Sequence, residues 1–501
     1  MDQTPGKPSR MLSILAWAGM AALLLARLSG NYADPDLFGY LGFGRLWQQT
    51  GTFPWHDVFA YTPVKDLWVY HEWLTGVFFQ EIVSRFGFTG LKLLKYGLGL
   101  GTAWLMYRTA RLRGSPGPAI FFSMYLISPV FSIGFASVRA QVLTNLFFVL
   151  TIFLLEYRVV KRDWLGLGLL SVIFIPWANF HGGFPAGLGL IALYALGQWP
   201  SPGRAAPFAA AFGASLLATL VNPYGLAYWT YLGHALTMPR PEISEWLPVW
   251  GALAQGYRTP SSVLFLLALG AGLFFFRPGR ERSQGPLLVL LATAGLGCLH
   301  VRHQILFFLA LGPYLPRHMQ GFWLWLMEHR PQIAGRWSRV AALAGPLACA
   351  VLLGYFAWAF LVGRPLELRA PQAGDPGLSL EECQPVETVA YMKARGLGGM
   401  VLTEFQWGEY VSWELYPAVK VAFDGRYETV YPEAVAKAYF DLMALRSGAF
   451  LRENPPDMLL LQPSSPLGQV LRKTGQWREI HADQGAVLLV RADWFGAGNK
   501  P

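Results

Sequence analysis

The chain has 501 residues, 53% of them hydrophobic, 15% aromatic and only 14% charged, with a mean hydropathy of +0.33. Soluble domains carry about 25% charged residues, so this composition excludes an ordinary soluble protein and predicts a polytopic α-helical membrane protein. The formal net charge is +10, but the Lys and Arg fall in short joins between apolar runs and no RNP, zinc-finger or helix-turn-helix pattern accompanies them. The basic balance therefore reads as membrane topology and not as nucleic-acid binding.

Lys7 and Arg10 precede the first apolar run, 11–30, which reads as a retained membrane helix and not as a cleaved leader. A long polar segment, 31–88, follows. It contains two stretches that predict amphipathic surface helices rich in aromatics, Leu37–Gln49 and His71–Phe86. Further apolar runs fall at 89–109, 117–136, 139–157, 164–180, 183–199, 206–222, 260–277, 285–300, 304–325 and 340–362, so about eleven spanning helices are expected.

Alternate joins are basic: Arg108, Arg111 and Arg113; Arg158, Lys161 and Arg162; Arg204; Arg277, Arg280 and Arg282; Arg330, Arg336 and Arg339. The remaining joins carry Asp34, Asp36, Asp57, Asp66, Glu72, Glu242 and Glu245. This alternation predicts a cytoplasmic N-terminus and acid-bearing loops on the outer face. An odd helix count then places the C-terminal part outside as well.

After about residue 364 long apolar runs stop. "PVETVAYMKARG" predicts a helix, "GMVLTEF" a strand, "WGEYVSWELYP" a short helix and "KVAFDGR" a strand. "PEAVAKAYFDLMALR" is an amphipathic helix, and "DMLLLQP" and "GAVLLVR" are buried strands. Strands alternating with helices indicate a small α/β domain. The expected organisation is a membrane domain over 1–363, with the outer loop 31–88, and a soluble α/β domain over 364–501. Cys298, Cys349 and Cys383 form no CxxC pair, so neither a disulfide framework nor a zinc site is indicated.

Four groups of residues carry chemistry. In Asp34-Pro35-Asp36, Pro35 keeps Asp34 out of a helix and Asp36 sits where a helix N-terminus favours negative charge. The pair reads either as an N-cap plus a loop acid, or as a general base or cation-binding carboxylate. His56-Asp57 and His71-Glu72 are adjacent polar pairs in the same loop. Each lines a site or merely caps an interface. "PWANFHGGF" places Asn179 and His181 where a helix leaves the membrane, and ionisable residues at that depth face a bundle interior or a cavity more often than lipid. Arg139, His300, Arg302 and His303 are cations on the acid-bearing side. A bound phosphate or a salt bridge to acids of the first loop accounts for them.

Together these residues resemble the GT-C superfamily of membrane glycosyltransferases, over most of the chain. "DPDLFGYLGFGRLWQQTGTFPWHDVFAYT" with "WVYHEWL", "WANFHGG", "NPYG" and "RHQ" is similar to a group of bacterial GT-C-like membrane proteins. "VLTEFQWGEYVSWELYPAVKVAFDGRYE" resembles the catalytic subunit of oligosaccharyltransferase, whose Trp-Trp-Asp-Tyr-Gly motif engages the acceptor. Here Trp407-Gly408-Glu409-Tyr410 has a different order, so a peptide acceptor is not implied.

The resemblance implies transfer of a sugar from a polyprenyl-phosphate-linked donor to a lipid, glycan or protein acceptor at the outer face of a bacterial cytoplasmic membrane. Asp36, with Asp34 as the alternative, would be the base. Arg302, His303, Arg139 and His300 would hold the donor phosphate. His56, Asp57, His71, Glu72, Asn179 and His181 would line the site, and Trp407, Glu409 and Tyr410 would meet the acceptor. No cofactor is required, although a divalent cation (Mg or Mn) would suit Asp34 and Asp36 if both point inward. The rival readings are a transporter or flippase for a lipid-linked or anionic substrate, and a non-catalytic scaffold. A transporter would more often show inverted repeats, and none is visible.

Overall fold

The computed structural model describes residues 10–161, 164–199, 201–238, 243–276 and 284–494, with the side chains of 10–12, 338–346 and 349 outside the description. Lys7, Arg162, Glu242, Arg277, Arg280 and Arg282 of the charge pattern lie outside the described residues, as do the side chains of Arg10, Arg339 and Cys349. The chain divides into two compact units. One comprises Met1–Asn31, Lys92–Gly225 and Thr237–Glu367; the other comprises Tyr32–Leu91, Leu226–Leu236 and Leu368–Pro501.

The first unit is helical, and each apolar run of the sequence that falls in it becomes a helix. Several helices open on a proline in the first turn, among them Phe184–Leu196, Pro202–Ala218, Thr259–Phe275, Gly285–Leu299 and Pro331–Val362. Proline suits that position because its missing N–H would have no partner there.

The sequence predicts about eleven spanning helices. Among the described residues, Gly117–Gly134 and Gln141–Lys161 are long and apolar enough to cross a bilayer, with mean hydropathies of 1.4 and 1.7. Leu165–Phe180, Phe184–Leu196, Thr259–Phe275 and Gly285–Leu299 are apolar helices of 13–17 residues.

Two lysines inside the apolar run 89–109 are fully buried. Lys92 donates to the carbonyls of Ser29 (2.8 Å) and Gly30 and to Asn31 Oδ1 (3.0 Å). Lys95 donates to Gly30 O and Ala136 O, each at 3.1 Å. They satisfy carbonyls just past the Arg10–Arg27 helix, where cations are favoured. Arg113 is also more than a topology charge. It forms a buried ion pair with Glu156 at 2.8 Å, and Glu156 also accepts from Tyr194, which bonds Tyr314 at 2.8 Å.

The second unit is built on a five-stranded sheet. Its strands are β1 (Gly399–Thr403), β2 (Val419–Val421), β3 (Met458–Leu461), β4 (Trp477–Ala482) and β5 (Val487–Arg491), in the order β2-β1-β3-β5-β4. β2, β1 and β3 are parallel, while β5 and β4 close the sheet antiparallel. β3 is buried along its whole length, as a central strand covered on both faces requires. β4 alternates poorly and is mostly exposed, which is why the sequence pattern did not mark it.

The first polar loop belongs to this same unit. Val421 N donates to Phe59 O (2.9 Å) and Tyr61 N to Val421 O (3.1 Å), so residues 59–61 cover the β2 edge, which would otherwise expose unpaired backbone groups. The Pro35–Thr50 helix does not lie on the surface as expected, since Leu37 to Gly44 are buried without a break. Its glycines let neighbours approach on several faces: a Cβ on Gly39 would fall 2.6 Å from the Glu409 carboxyl, and one on Gly42 3.7 Å from Phe59. The second loop helix starts at Trp73, after His71 and Glu72, and runs to Leu112 with a left-handed break at Gly87 (φ 63°).

Candidate functional site

Asp34 caps the Pro35–Thr50 helix. Its backbone is extended and its Oδ1 accepts from Asp36 N at 3.2 Å, the geometry that satisfies an orphan N–H at a helix start. Asp36, one residue past the proline, is half-buried in the first turn. Its Oδ1 lies 3.7 Å from where a Cβ on Gly425 would stand, and Glu409 Oε1 lies 3.0 Å from the same point. Gly425 thus leaves the room in which the two carboxyls converge. The other oxygen of Glu409 accepts from Gly39 N at 3.2 Å.

Glu409 is brought there by the Gly408–Leu415 helix, which packs against the Pro35–Thr50 helix. Phe38 meets Tyr410 edge-on at 4.8 Å. Arg45 donates to Trp413 O at 2.6 Å and lies over the Trp413 ring at 4.9 Å. These contacts seat Glu409 in a buried position.

Beside this pair, Arg426 is fully buried and held by two acids. It makes paired bonds to Asp424 (Nε to Oδ1, 3.0 Å; Nη2 to Oδ2, 2.6 Å) and donates from Nη1 to Asp57. Its guanidinium lies over the rings of Phe59 (5.0 Å) and Trp68 (5.3 Å). Asp57 is fixed by accepting from Ala60 N at 2.8 Å. Burial opposes the Arg426 charge, but Asp424 and Asp57 more than reverse that and raise its pKa well above the usual value.

One arginine does not neutralise the region. Burial first, then the charges of Asp36, Asp424 and Glu72 hold the Glu409 carboxyl well above the ordinary carboxylate range, and Arg426 offsets this only in part. Glu409 therefore keeps its proton under conditions where an exposed glutamate has lost it. The buried Tyr70 phenol is pushed up by its burial and by Glu72 and Glu409.

His71 and Glu72 sit in the turn before Trp73, not in the helix, and their charged ends are 3.7 Å apart. The His71 ring stacks on Tyr231 at 5.4 Å and its Nδ1 bonds the Tyr231 hydroxyl at 3.2 Å. Tyr228 donates to His71 O at 3.3 Å.

The structure thus brings Asp36, Asp57, Glu72 and Glu409 into one acidic region. Other expected site residues go elsewhere. His56 is exposed, and its Nδ1 bonds Asp66 O at 2.5 Å within its own loop. Trp407 and Tyr410 are core residues, 1% and 6% exposed. Trp407 Nε1 donates to Cys383 O at 2.6 Å, so neither aromatic ring offers the open face that acceptor stacking needs. The sequence reading missed Asp424, Arg426 and Gly425; a charged Asp-Gly-Arg triplet closing a buried strand was the available signal. Among the described residues no three His, Cys, Asp or Glu side chains converge to hold a metal. Asp34 turns one carboxyl oxygen to its own helix, where it accepts from Asp36 N.

In the helical unit, four expected residues gather around an acid. Arg302 Nη1 is 3.2 Å from Glu245 Oε1, and its guanidinium lies 4.6 Å over the Trp246 ring. Arg139, Arg258 and His303 also act on Glu245, whose carboxyl is held below its ordinary range by these charges despite its burial. His300 Nδ1 bonds Trp246 O at 2.7 Å. Burial, reinforced by Arg302 and His300, lowers the His303 pKa to about 4. Arg302 thus has Glu245 as a salt-bridge partner. Arg258 is the member the sequence reading did not single out.

His181 is locked in a local network. Trp177 Nε1 donates to Thr144 Oγ1 (2.8 Å), Thr144 bonds His181 Nδ1 (2.8 Å), and Gly183 N donates to the same nitrogen (2.9 Å). Nδ1 is therefore the acceptor and the ring proton sits on Nε2. Asn179 donates to Ile175 O and Val221 O, each at 2.8 Å. These two residues pin the helix end to its neighbours.

No protein-family model and no curated protein matches the chain. Among solved structures it is similar to the arabinofuranosyltransferase AftD from Mycobacteria, with a TM-score of 0.52 and 16% identity, over 97% of this chain and 42% of that one. It is also similar to the oligosaccharyltransferase of Archaeoglobus fulgidus in its apo form, with a TM-score of 0.46 and 11% identity, over 91% of this chain and 70% of that one. The chain thus spans less than half the length of AftD, and at 16% identity what it shares with AftD is the fold.

Proposed function

We propose that the chain is an integral-membrane glycosyltransferase that moves a sugar from a polyprenyl-phosphate-linked donor to an acceptor hydroxyl. It acts at the outer face of a bacterial cytoplasmic membrane, with its N-terminus in the cytoplasm. The observation that carries this reading is the convergence of Asp36 and Glu409 on Gly425 in a buried acidic region, within a GT-C fold. AftD is named an arabinofuranosyltransferase, which makes a pentofuranosyl donor the first to test beside a hexosyl one.

With Glu409 holding its proton, Asp36 is the basic partner of the pair. It takes the proton of the acceptor hydroxyl as that oxygen bonds the anomeric carbon. The bond from the anomeric carbon to the phosphate oxygen breaks, and the lipid phosphate leaves with the electron pair.

The test is release of polyprenyl phosphate from each lipid-linked sugar by the full-length protein in nanodiscs, with a cell-envelope glycan extract as acceptor. Asp36→Asn should lower turnover by about 10²–10⁴-fold, the range for loss of a positioned base, with donor binding retained. Undiminished transfer by a folded Asp36→Asn protein removes Asp36 from the chemistry.

A further inference from the structure

Asp36 stands two residues past the helix cap, so its place depends on how the chain enters the Pro35–Thr50 helix. Within the sheet unit that entry is clasped by the segment that leads into the α/β domain. Tyr32 pairs with Arg369 as a parallel bridge, and Ala33 N donates to Arg369 O at 2.8 Å. The Arg369 side chain closes the clasp. Its guanidinium lies 5.3 Å from the centre of the Tyr32 ring and makes paired bonds to Asp375, Nη1 to Oδ2 at 2.8 Å and Nη2 to Oδ1 at 2.5 Å. A planar fork on a carboxylate fixes direction as well as distance.

The clasp is itself anchored. Asp375 Oδ2 also accepts from Gln372 N at 2.9 Å, and Gln384 N donates to Pro371 O at 2.7 Å. The turn 372–375 rests against the join between β4 and β5: a Cβ on Gly485 would stand 3.0 Å from Ala373 Cβ, and one on Gly374 3.5 Å from Gln484 Oε1. Asp483 Oδ1 closes that join by accepting from Gly485 N (2.7 Å) and Ala486 N (2.8 Å). A continuous series of contacts thus runs from the sheet, through Asp375 and Arg369, to residues 32–33 and the Asp34 cap. Glu409 is carried by the helix between β1 and β2 of the same sheet, so both carboxyls are referred to one frame.

We infer that Arg369 is a positioning residue: clasped to Asp375, it fixes the chain at Tyr32 and Ala33 so that the Asp36 carboxyl stands beside Glu409. Resting on the function proposed above, this makes the clasp a determinant of turnover, because a base misplaced by about 1 Å loses up to about 10²-fold in rate. Geometry and charge separate cleanly here. Removing Arg369 and removing the Asp375 charge alter the local field in opposite senses but open the clasp in the same way. A positioning role therefore gives both variants the same effect, and a through-space electrostatic role gives them opposite ones.

Two readouts on the full-length protein in nanodiscs test this. The first is sugar transfer. Arg369→Ala and Asp375→Asn should each lower kcat by about 10–10²-fold and leave the donor KM within about twofold, with Arg369→Lys recovering part of the loss. In an Asp36→Asn background neither should lower turnover further, because the group they position is gone. The second readout needs no turnover. Glu409 feels Asp36, Asp424, Arg426 and Glu72, and of these Asp36 is the one that follows the clasped segment. Opening the clasp takes that charge away and lets Glu409 ionise at lower pH. The pH at which Tm stops diverging from that of the matching Glu409→Gln protein should fall in both variants by about one unit, toward its value in Asp36→Asn, and no further when the changes are combined. Unchanged kcat with an unshifted Glu409 titration in folded variants overturns the inference. So does a loss of kcat without that shift, or a loss that persists undiminished in the Asp36→Asn background. A shifted titration with undiminished kcat keeps the clasp and removes Asp36 as the base. If the wild type transfers no sugar from any donor, the transferase reading falls and the titration alone decides the clasp.

Discussion

Replacing Glu409 by Gln tests the acidic region at its most perturbed member. The carboxyl is 6% exposed, accepts one N–H from Gly39, and feels Asp36, Asp424 and Glu72, while the neighbouring Arg426 is already bound to Asp424 and Asp57. In the unfolded chain a glutamate loses its proton near pH 4.3, but in the folded protein burial and Asp36 raise that point well above the ordinary value. Between the two values the folded state binds more protons than the unfolded one. The stability contributed by the neutral, hydrogen-bonded acid is thus complete below the unfolded pKa and is lost as pH rises through the folded pKa.

The slope over that window is about 1.4 kcal/mol per pH unit. Glu409→Gln still accepts the Gly39 N–H and does not titrate. Its stability relative to wild type should therefore climb by about that slope from pH 5 upward, until the folded pKa is passed. Thermal unfolding of the full-length protein in nanodiscs, followed by intrinsic fluorescence at half-unit steps from pH 4.5 to 8, reads the difference in Tm between the two proteins. A Tm difference that stays flat over that range shows that Glu409 is ionised in the folded protein, and refutes a protonated Glu409 beside a basic Asp36.

Two further predictions bear on the same unit. Arg426→Met leaves Asp57 and Asp424 buried without their cation, so it should cost about 3–5 kcal/mol and should speed proteolysis of the 57–62 segment before the rest of the sheet unit. Equal protease resistance would mean that the ion triad does not hold the loop to the β2 edge. Asp34→Ala removes a helix cap and should cost about 1 kcal/mol while sparing most sugar-transfer turnover, in contrast to Asp36→Asn. A turnover loss as deep as that of Asp36→Asn would give Asp34 a chemical role in place of a capping one.

The helical nature of the chain was legible in the sequence, because an apolar run longer than a few turns has little choice but to satisfy its backbone internally. The alternation from Gly399 onward marked β1, β2, β3 and β5, since buried strands must be apolar along their length. Asp36 stood out because proline and helix polarity constrain that short stretch locally. The Arg139, His300, Arg302 and His303 group was visible as charge out of place, and the structure does gather it, around Glu245.

Tertiary structure alone decided the rest. Whether Asp34 caps or reacts depends on where its carboxyl turns, and in the fold it accepts from Asp36 N. That Glu409 meets the first loop required two glycines far apart in the chain, Gly39 and Gly425, to leave space at one point. That Trp407 and Tyr410 are buried follows from a helix docked on Phe38, a contact no local pattern encodes. Periodicity records which side of a segment avoids water. It does not record which distant segment supplies the cover, and in this protein a carboxyl's neighbours, and so its proton, are set by that cover.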